Sequence, residues 1–592
     1  MILSSLCRYY EILADDSSIT IPRVGYSSAK VSFALVLSAS GELINILDLR
    51  NKAEKGNKLL PVQIIVPEQR VRSGTKIMPY FMCDNNKYML GVDKKESADR
   101  LINLFNSFMN FHVKLLDNVP GIAARAVINF LKEWDPKNAK EHPVLQKYYD
   151  DIAAGATMVF KLEGERGYIH ELTEIKKCWE DYIASENTGF ISQCLVTGRN
   201  SVIAQVHPKI KGVEKAQSAG ASIVSFNFDA VESYGKKQSF NSPVSEYAAF
   251  AYTTALNYML GNQRQKIQIG DATTVFWAES PKSIYIDIAA ELLNMPGDDA
   301  ETDENTNAYK RDPRVQNIVA GILKKVAEGK KITEVTEEIN PETKFYILGL
   351  SPNNARISIR FFHVDSFEGF VEKMAQHYND MEIIKRDFEV ENIPIWRMLR
   401  ELKPKTSTEQ KVPPGLSSAI MRSILNGTSY PSLLFNMIMS RIRADHEVNY
   451  VRAAITKAYL LRNARIHNKN NLKEVLTVGL NEQSTNTAYL LGRLFAVLEK
   501  AQQDANPDIN TTIKDRYFAS ACATPASVFP ILLRLSQHHI SKSDYGLINE
   551  RRIGEIMNGL NSFPSHLSLE EQGIFMLGYY HQKHALYQKK EN

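Results

Sequence analysis

The stretch Lys403–Gly415 reads KPKTSTEQKVPPG, with three prolines and no apolar face to pack. Such a segment behaves as a spacer rather than as part of a core. What flanks it decides the fold. Upstream, short alternating apolar runs broken by Gly, Asn and Pro are mixed with helical spacings. Downstream, the sequence reads as helix upon helix, with few strand signals to the end. The fold class is therefore read as α+β: a mixed α/β part over residues 1–402, subdivided near 100–190, then the linker 403–415. A helical connecting region over 416–480 and a C-terminal helical bundle over 481–592 follow.

Within the first part, KVSFALVLSASGELINILDL predicts two strands, Val31–Leu37 and Leu43–Leu47, joined around Gly41. LPVQIIVPEQ predicts a strand ended by Pro67, and YMLGVD a short strand after an Asn-rich turn. The spacing of Leu101, Leu104, Phe105 and Phe108 is helical, as is AARAVINFLKEW. SVIAQVHP, ASIVSFN and TTVFWAES read as strands around a helix capped by Ser242, with Pro243 in its first turn and Gly261 at its end. GDDAETDENTN reads as a flexible acidic loop. KFYILGLSPNNARISIRFFHV reads as two strands about a Ser-Pro-Asn-Asn turn. In the bundle, TAYLLGRLFAVLEKAQQ, SVFPILLRLSQHHI and NERRIGEIMNGL read as helices, and Ser568 opens a capping box with Glu571.

At 592 residues the chain holds roughly three or four domains. A net charge of +4 does not announce nucleic-acid binding, so any basic footprint must be local. Five cysteines without C-x-x-C spacing argue against a disulfide framework or zinc ribbon and fit a reducing cytoplasm. MILSSLCRYYEILADD lacks the pattern of a signal peptide, and no apolar run approaches the ~20 residues of a membrane span.

Four basic constellations stand out. In HPKIKGVEKAQSAGASIVSFN, Lys209, Lys211 and Lys215 precede a Gly-Ala-Ser run, with Gln217 and Asn227 nearby. Its glycines lack P-loop spacing, which leaves a surface loop leading into a strand or a grip on phosphates. In PEQRVRSGTK, Arg70, Arg72 and Lys76 flank the Ser73–Gly74 turn, with Asn85 close in sequence; this is a solvated loop or a groove reader. In NARISIRFF, Arg356, Ser358 and Arg360 alternate with Ile357, Ile359 and Phe361, so two arginines share one sheet face. The run SRIRADHEVNYVRAAITKAYLLRNARIHNK places Arg441, Arg452 and Arg462 near one helix face, with Arg465 beyond. It is a backbone-binding face or a solvated one.

Signals for catalysis are poor. His538 and His539 are adjacent and face apart, unlike a metal pair at i, i+4. No H-E-x-x-H, G-x-S-x-G or D-x-D pattern occurs, and Cys194 reads as a structural cysteine. The expectation is a chain without catalytic residues, metal or cofactor.

An ordered set of strings resembles one family: MILSSLCRYYEIL, GYSSAKVSFALVL, VPEQRVRSG, FMCDNNKYMLGVD, CLVTGRNSVIAQVHPKIKGVEKAQSAGASIVSFNFDAVESYG, NSPVSEYAAFAYTTALNYML, IGDATTVFWAE, LGLSPNNARISIRFF, NTAYLLGRLFAVLEKAQ and ATPASVFPILLRLSQHH. Together they resemble the large subunit of the type I-C CRISPR Cascade surveillance complex. The resemblance implies a non-catalytic, cytoplasmic subunit assembled with CRISPR RNA and the Cas-five and Cas-seven type backbone proteins. It implies recognition of the protospacer-adjacent motif in duplex DNA, R-loop formation, handling of the displaced strand and recruitment of a helicase–nuclease. Base pairing would read the rest of the target, as in the single-protein effector of different architecture. The C-terminal part resembles the small subunit, which in such systems is also translated internally. No methionine falls between Met439 and Met557, so Val478 is the expected non-AUG start.

On this resemblance Arg70, Arg72 and Lys76 would meet phosphates, and Ser73 or Asn85 base edges. Lys209, Lys211, Lys215, Gln217 and Asn227 form the second set. Arg356, Arg360, Arg452, Arg462 and Arg465 would track a single strand. A nuclease and a purely structural scaffold without base recognition are the other two classes.

Overall fold

The computed structural model describes the chain apart from residues 53–58, 70–71, 73–75, 187–188, 294–311, 331, 337, 405–411, 414, 508 and 589–592. The acidic loop and most of the 403–415 linker thus lie outside the described residues. The fold is α+β; among the described residues strands are confined to the first two thirds, and the elements beyond them are helices. Two compact units emerge. The first comprises Met1–Pro208 and Val224–Leu256; the second comprises Lys209–Ile223 and Asn257–Asn592. The division passes through the basic Gly-Ala-Ser stretch and does not coincide with the proline-rich segment.

In the first unit a four-stranded sheet runs Leu43–Asp48, Phe33–Leu37, Thr157–Leu162, Cys83–Asn85. Phe33–Leu37 pairs parallel with Thr157–Leu162, and the other two pairings are antiparallel. All five residues of Phe33–Leu37 are buried. Helices Ala98–Leu116 and Ile122–Glu133 supply the crossover between the parallel strands and share their core through Phe105, Phe108, Val127 and Phe130. Gly41 has φ +103°, and a Cβ there would lie 2.6 Å from Asn129 Cβ, so the hairpin turn rests directly on the second of these helices.

The second unit carries an antiparallel sheet ordered Lys266–Ile269, Ala272–Ala278, Lys344–Asn353, Arg356–Ser366. Ala272–Ala278 is buried throughout. The core of the sheet continues into the C-terminal helices as one apolar cluster, from Phe276 and Phe345 to Phe495 and Phe575. The Ser568–Glu571 capping box forms at the start of Leu569–Tyr587.

Several local expectations change. YMLGVD is not a strand: Asn85 caps the single helical turn Asn86–Met89 by accepting from Lys87 N at 3.1 Å. The helix Glu246–Gly261 is capped by Ser245, whose hydroxyl accepts from Ala248 N, and not by Ser242. Pro243–Val244 stays extended because Val244 O accepts from Ala204 N. ASIVSFN forms no strand, only bridge pairs at Ala221 and Ser222. The hairpin after Lys344 turns at Asn354–Ala355, with Asn354 at φ 54°, so its strands reach further than expected. SRIRADHEVNYVRAAITKAYLLRNARIHNK is two helices, Ser432–Asp445 and Tyr450–Ile466, broken at His446 in the left-handed region.

Candidate nucleic-acid interface

The basic stretch is a closed loop. Ile210 and Ala221 exchange both backbone hydrogen bonds at 2.9 Å, which ties the ends of the loop together. Gly212 and Gly220 take φ near +90°, and Lys215 takes φ 61°. A Cβ on Gly220 would lie 2.9 Å from Ile210 O, so the closure requires glycine there. Ile210, Val213 and Ala221 point inward and are buried, while Lys211, Lys215 and Gln217 are exposed.

Three attachments hold the loop to the second unit. The Asn257 side chain accepts from Lys211 N at 2.8 Å and donates to Lys209 O at 3.1 Å. Thr273 Oγ1 accepts from Glu214 N at 3.0 Å, fixing the tip to a buried central strand. Ser222 pairs with the edge strand: its N–H donates to Ala355 O at 3.2 Å, and its carbonyl accepts from Ile357 N at 2.9 Å. Lys209 Nζ donates to Ser222 Oγ at 3.0 Å. Lys209 and Arg356 therefore meet the same residue, one through its hydroxyl and one through a parallel backbone bridge. Two stretches far apart in sequence become one basic edge. Lys215 lies 3.9 Å from the neighbouring Glu214, an exposed pair that scarcely restrains it.

Arg360 plays a different part. Gly349 pairs with Phe361 and Leu350 with Ile359, so Arg360 is the extra residue of a β-bulge. Its guanidinium bonds Asp271 at 2.8 Å, and Asp271 also accepts from Ser417 Oγ. The bulge ends the simple alternation, leaving Ile359 exposed while Ile357 and Phe361 are buried. Arg360 clasps a hairpin turn, with 36% of its side chain still exposed.

Burial corrects the assignment of Arg452 and Arg462 to a displaced strand. Arg452 and Arg462 are each 1% exposed. Arg452 bonds Glu401 at 2.9 Å and Asp445 at 2.6 Å. Arg462 donates to Ser423 O at 2.9 Å and lies over the Tyr430 ring. Arg465 makes a two-pronged bond to Asp380, both arms at 2.8 Å. Arg452 and Arg462 thus belong to an internal network, because the helix that bears them packs on both sides, whereas Arg465 keeps an exposed flank beyond its Asp380 pair.

In the first unit Arg72 is sandwiched between Tyr80 and Tyr88, 3.8 and 3.9 Å from the ring centres. It also pairs with Asp84 and donates to Met78 O at 2.7 Å. Burial pushes the Asp84 carboxyl up to about 6, against the pull of Arg72. Arg72 is a structural clamp and not a phosphate contact. Asn85 is spent on its cap, while Lys76 and Asn227 are exposed. Arg70 and Ser73 lie outside the described residues. Cys194 is buried, with its sulfur accepting from Ser245 N at 3.2 Å.

Sequence reading missed the supports Asn257, Thr273 and Ser222. Asn257 was the detectable one, a lone amide in the apolar helix AFAYTTALNYML. A model of the CRISPR-associated protein family Cas_Csd1 matches residues 6–587. The chain belongs to this family. No curated protein matches it. In this Cas_Csd1 protein the basic edge lies within the matched span, as do the Arg72 clamp and the internal arginine network.

Proposed function

We propose that this chain is the large subunit of a type I-C Cascade complex, and that the Lys209–Ile223 loop with Arg356 meets the protospacer-adjacent motif duplex. The observation that carries this is the loop's construction. Lys211, Lys215 and Gln217 stand exposed on a closed loop, and the small exposed residues Ser218 and Ala219 leave its backbone free to approach a groove. Lysines hold phosphates as point charges, and the Gln217 amide supplies one donor and one acceptor to a base edge. The chain acts without catalysis, metal or cofactor, in the cytoplasm. It assembles with CRISPR RNA and the Cas-five and Cas-seven type subunits, promotes R-loop formation, and supports recruitment of the helicase–nuclease. A separate small subunit begins at Val478, a half-exposed residue just before the final helices.

The test is binding of motif-bearing and motif-mutated duplex by assembled complexes over a range of salt. Lys211→Ala and Lys215→Ala should each lower affinity evenly across sequences and reduce the salt slope by about one. Gln217→Ala should narrow the difference between the two duplexes. If all three variants bind like the parent, the loop is not the contact. If complexes lacking this chain still discriminate the motif, the chain is a scaffold.

A further inference from the structure

Ser233–Lys236 forms a tight turn, with Lys236 N donating to Ser233 O at 3.0 Å. Both central residues are left-handed, Tyr234 at φ 52° and Gly235 at φ 69°. That is the geometry of a type I′ turn, whose first central position suits Asn, Asp or Gly. A bulky aromatic there is strained, at a cost on the order of 1–2 kcal/mol. The fold regains nothing from the ring, because Tyr234 is 98% exposed.

The turn is nonetheless firmly built. The Glu232 carboxylate accepts from Gln238 N at 2.9 Å and from Lys237 Nζ at 2.7 Å. The Asn241 side chain accepts from Ser233 N and donates to Lys236 O and Gln238 O. Two lashings thus hold one aromatic ring out in solvent. Lys237 is paired with Glu232, and among the described residues Lys236 has no ion pair. A protein-docking surface needs a cluster of apolar side chains; the turn itself offers a single ring between Ser233 and Gly235, with the half-exposed Phe228 upstream of it. A lone π-face beside an uncommitted ammonium instead matches an unstacked base and its phosphate.

We propose that Tyr234 stacks on an unpaired base of the target DNA, with Lys236 on the adjoining phosphate. This rests on the nucleic-acid reading above. The test uses the assembled complex and a target duplex carrying 5-iodouracil at single positions through both strands near the motif. Irradiation should join Tyr234 to one base. Tyr234→Asn suits the left-handed backbone and keeps the turn folded. It should abolish that adduct and weaken strand opening, read by 2-aminopurine fluorescence at the same position, about 5- to 150-fold. Tyr234→Phe should retain both.

Parental opening by Tyr234→Asn overturns the proposal. So does protection of Tyr234 from nitration in the DNA-free complex, which would place the ring against a protein subunit. A parent complex that assembles but binds no motif DNA defeats the nucleic-acid reading itself. That outcome is distinct, because no position then yields an adduct.

Discussion

Arg72 shows how little a basic residue's neighbours in sequence say about its task. In QRVRSGTK it reads as a free cation, yet Tyr80, Tyr88 and Asp84, all later in the chain, enclose it. Arg72→Ala leaves Asp84 buried without its partner and should cost about 3 kcal/mol. The loss should be greater at pH 8 than at pH 5, because a protonated Asp84 needs no counter-ion; chemical denaturation at the two pH values checks this. His112 gives a second residue-scale prediction. Its Nε2 accepts from Met82 N–H at 2.9 Å, while its Nδ1 meets Phe108 O at 2.8 Å, so the ring is held neutral. Burial lowers it to about 4. The unfolded chain binds a proton below about pH 6.5 that the folded chain refuses. Stability is therefore complete above 6.5 and falls towards pH 4, by about 1.4 kcal/mol per pH unit for this group. His112→Phe should be less stable at pH 7.5, since Met82 N–H loses its acceptor, and its pH slope should be shallower by one proton. A slope equal to the parent's would show that His112 titrates freely.

At the scale of elements, periodicity located the helices well but not what their faces do. Thr487–Ala505 and Leu569–Tyr587 cross where Gly492 meets Phe575 O and Gly578 meets Tyr489 O. Both helices bury most of their surface, so a methyl group at either glycine must part them. Gly492→Ala should destabilise the second unit by about 2 kcal/mol or more, although alanine favours a helix, and thermal melting would show the sign. Arg452→Ala should cost about 3 kcal/mol, since Glu401 and Asp445 lose their shared buried cation and keep Asn449 and Arg441. It should leave the salt slope of DNA binding at the parent value in the molecules that remain folded. The strands were legible where a short run of β-branched and aromatic residues is bounded by turn residues, as in the fully buried Ala272–Ala278. The strand Arg356–Ser366 was legible but its bulge at Arg360 was not, and the strand expected at ASIVSFN is reduced to isolated bridges at Ala221 and Ser222.

For the whole molecule, the formal charge of +4 hides its distribution. Arg452, Lys457, Arg462 and Arg493 are buried, so part of the positive count never reaches the surface. Replacing Lys211 and Lys215 together should remove about two from the slope of log affinity against log salt, measured by titration at several salt concentrations. The sequence by itself determined the class, α+β with a helical end, because periodicity and turn residues are local properties. It determined the family as well, since an ordered set of strings survives any uncertainty about contacts. Only the tertiary structure decided which basic residues are available. Pairing of a cation with a carboxylate many residues away depends on packing, and no local pattern encodes it. It was likewise tertiary contact that set Lys209 and Arg356 on the same serine.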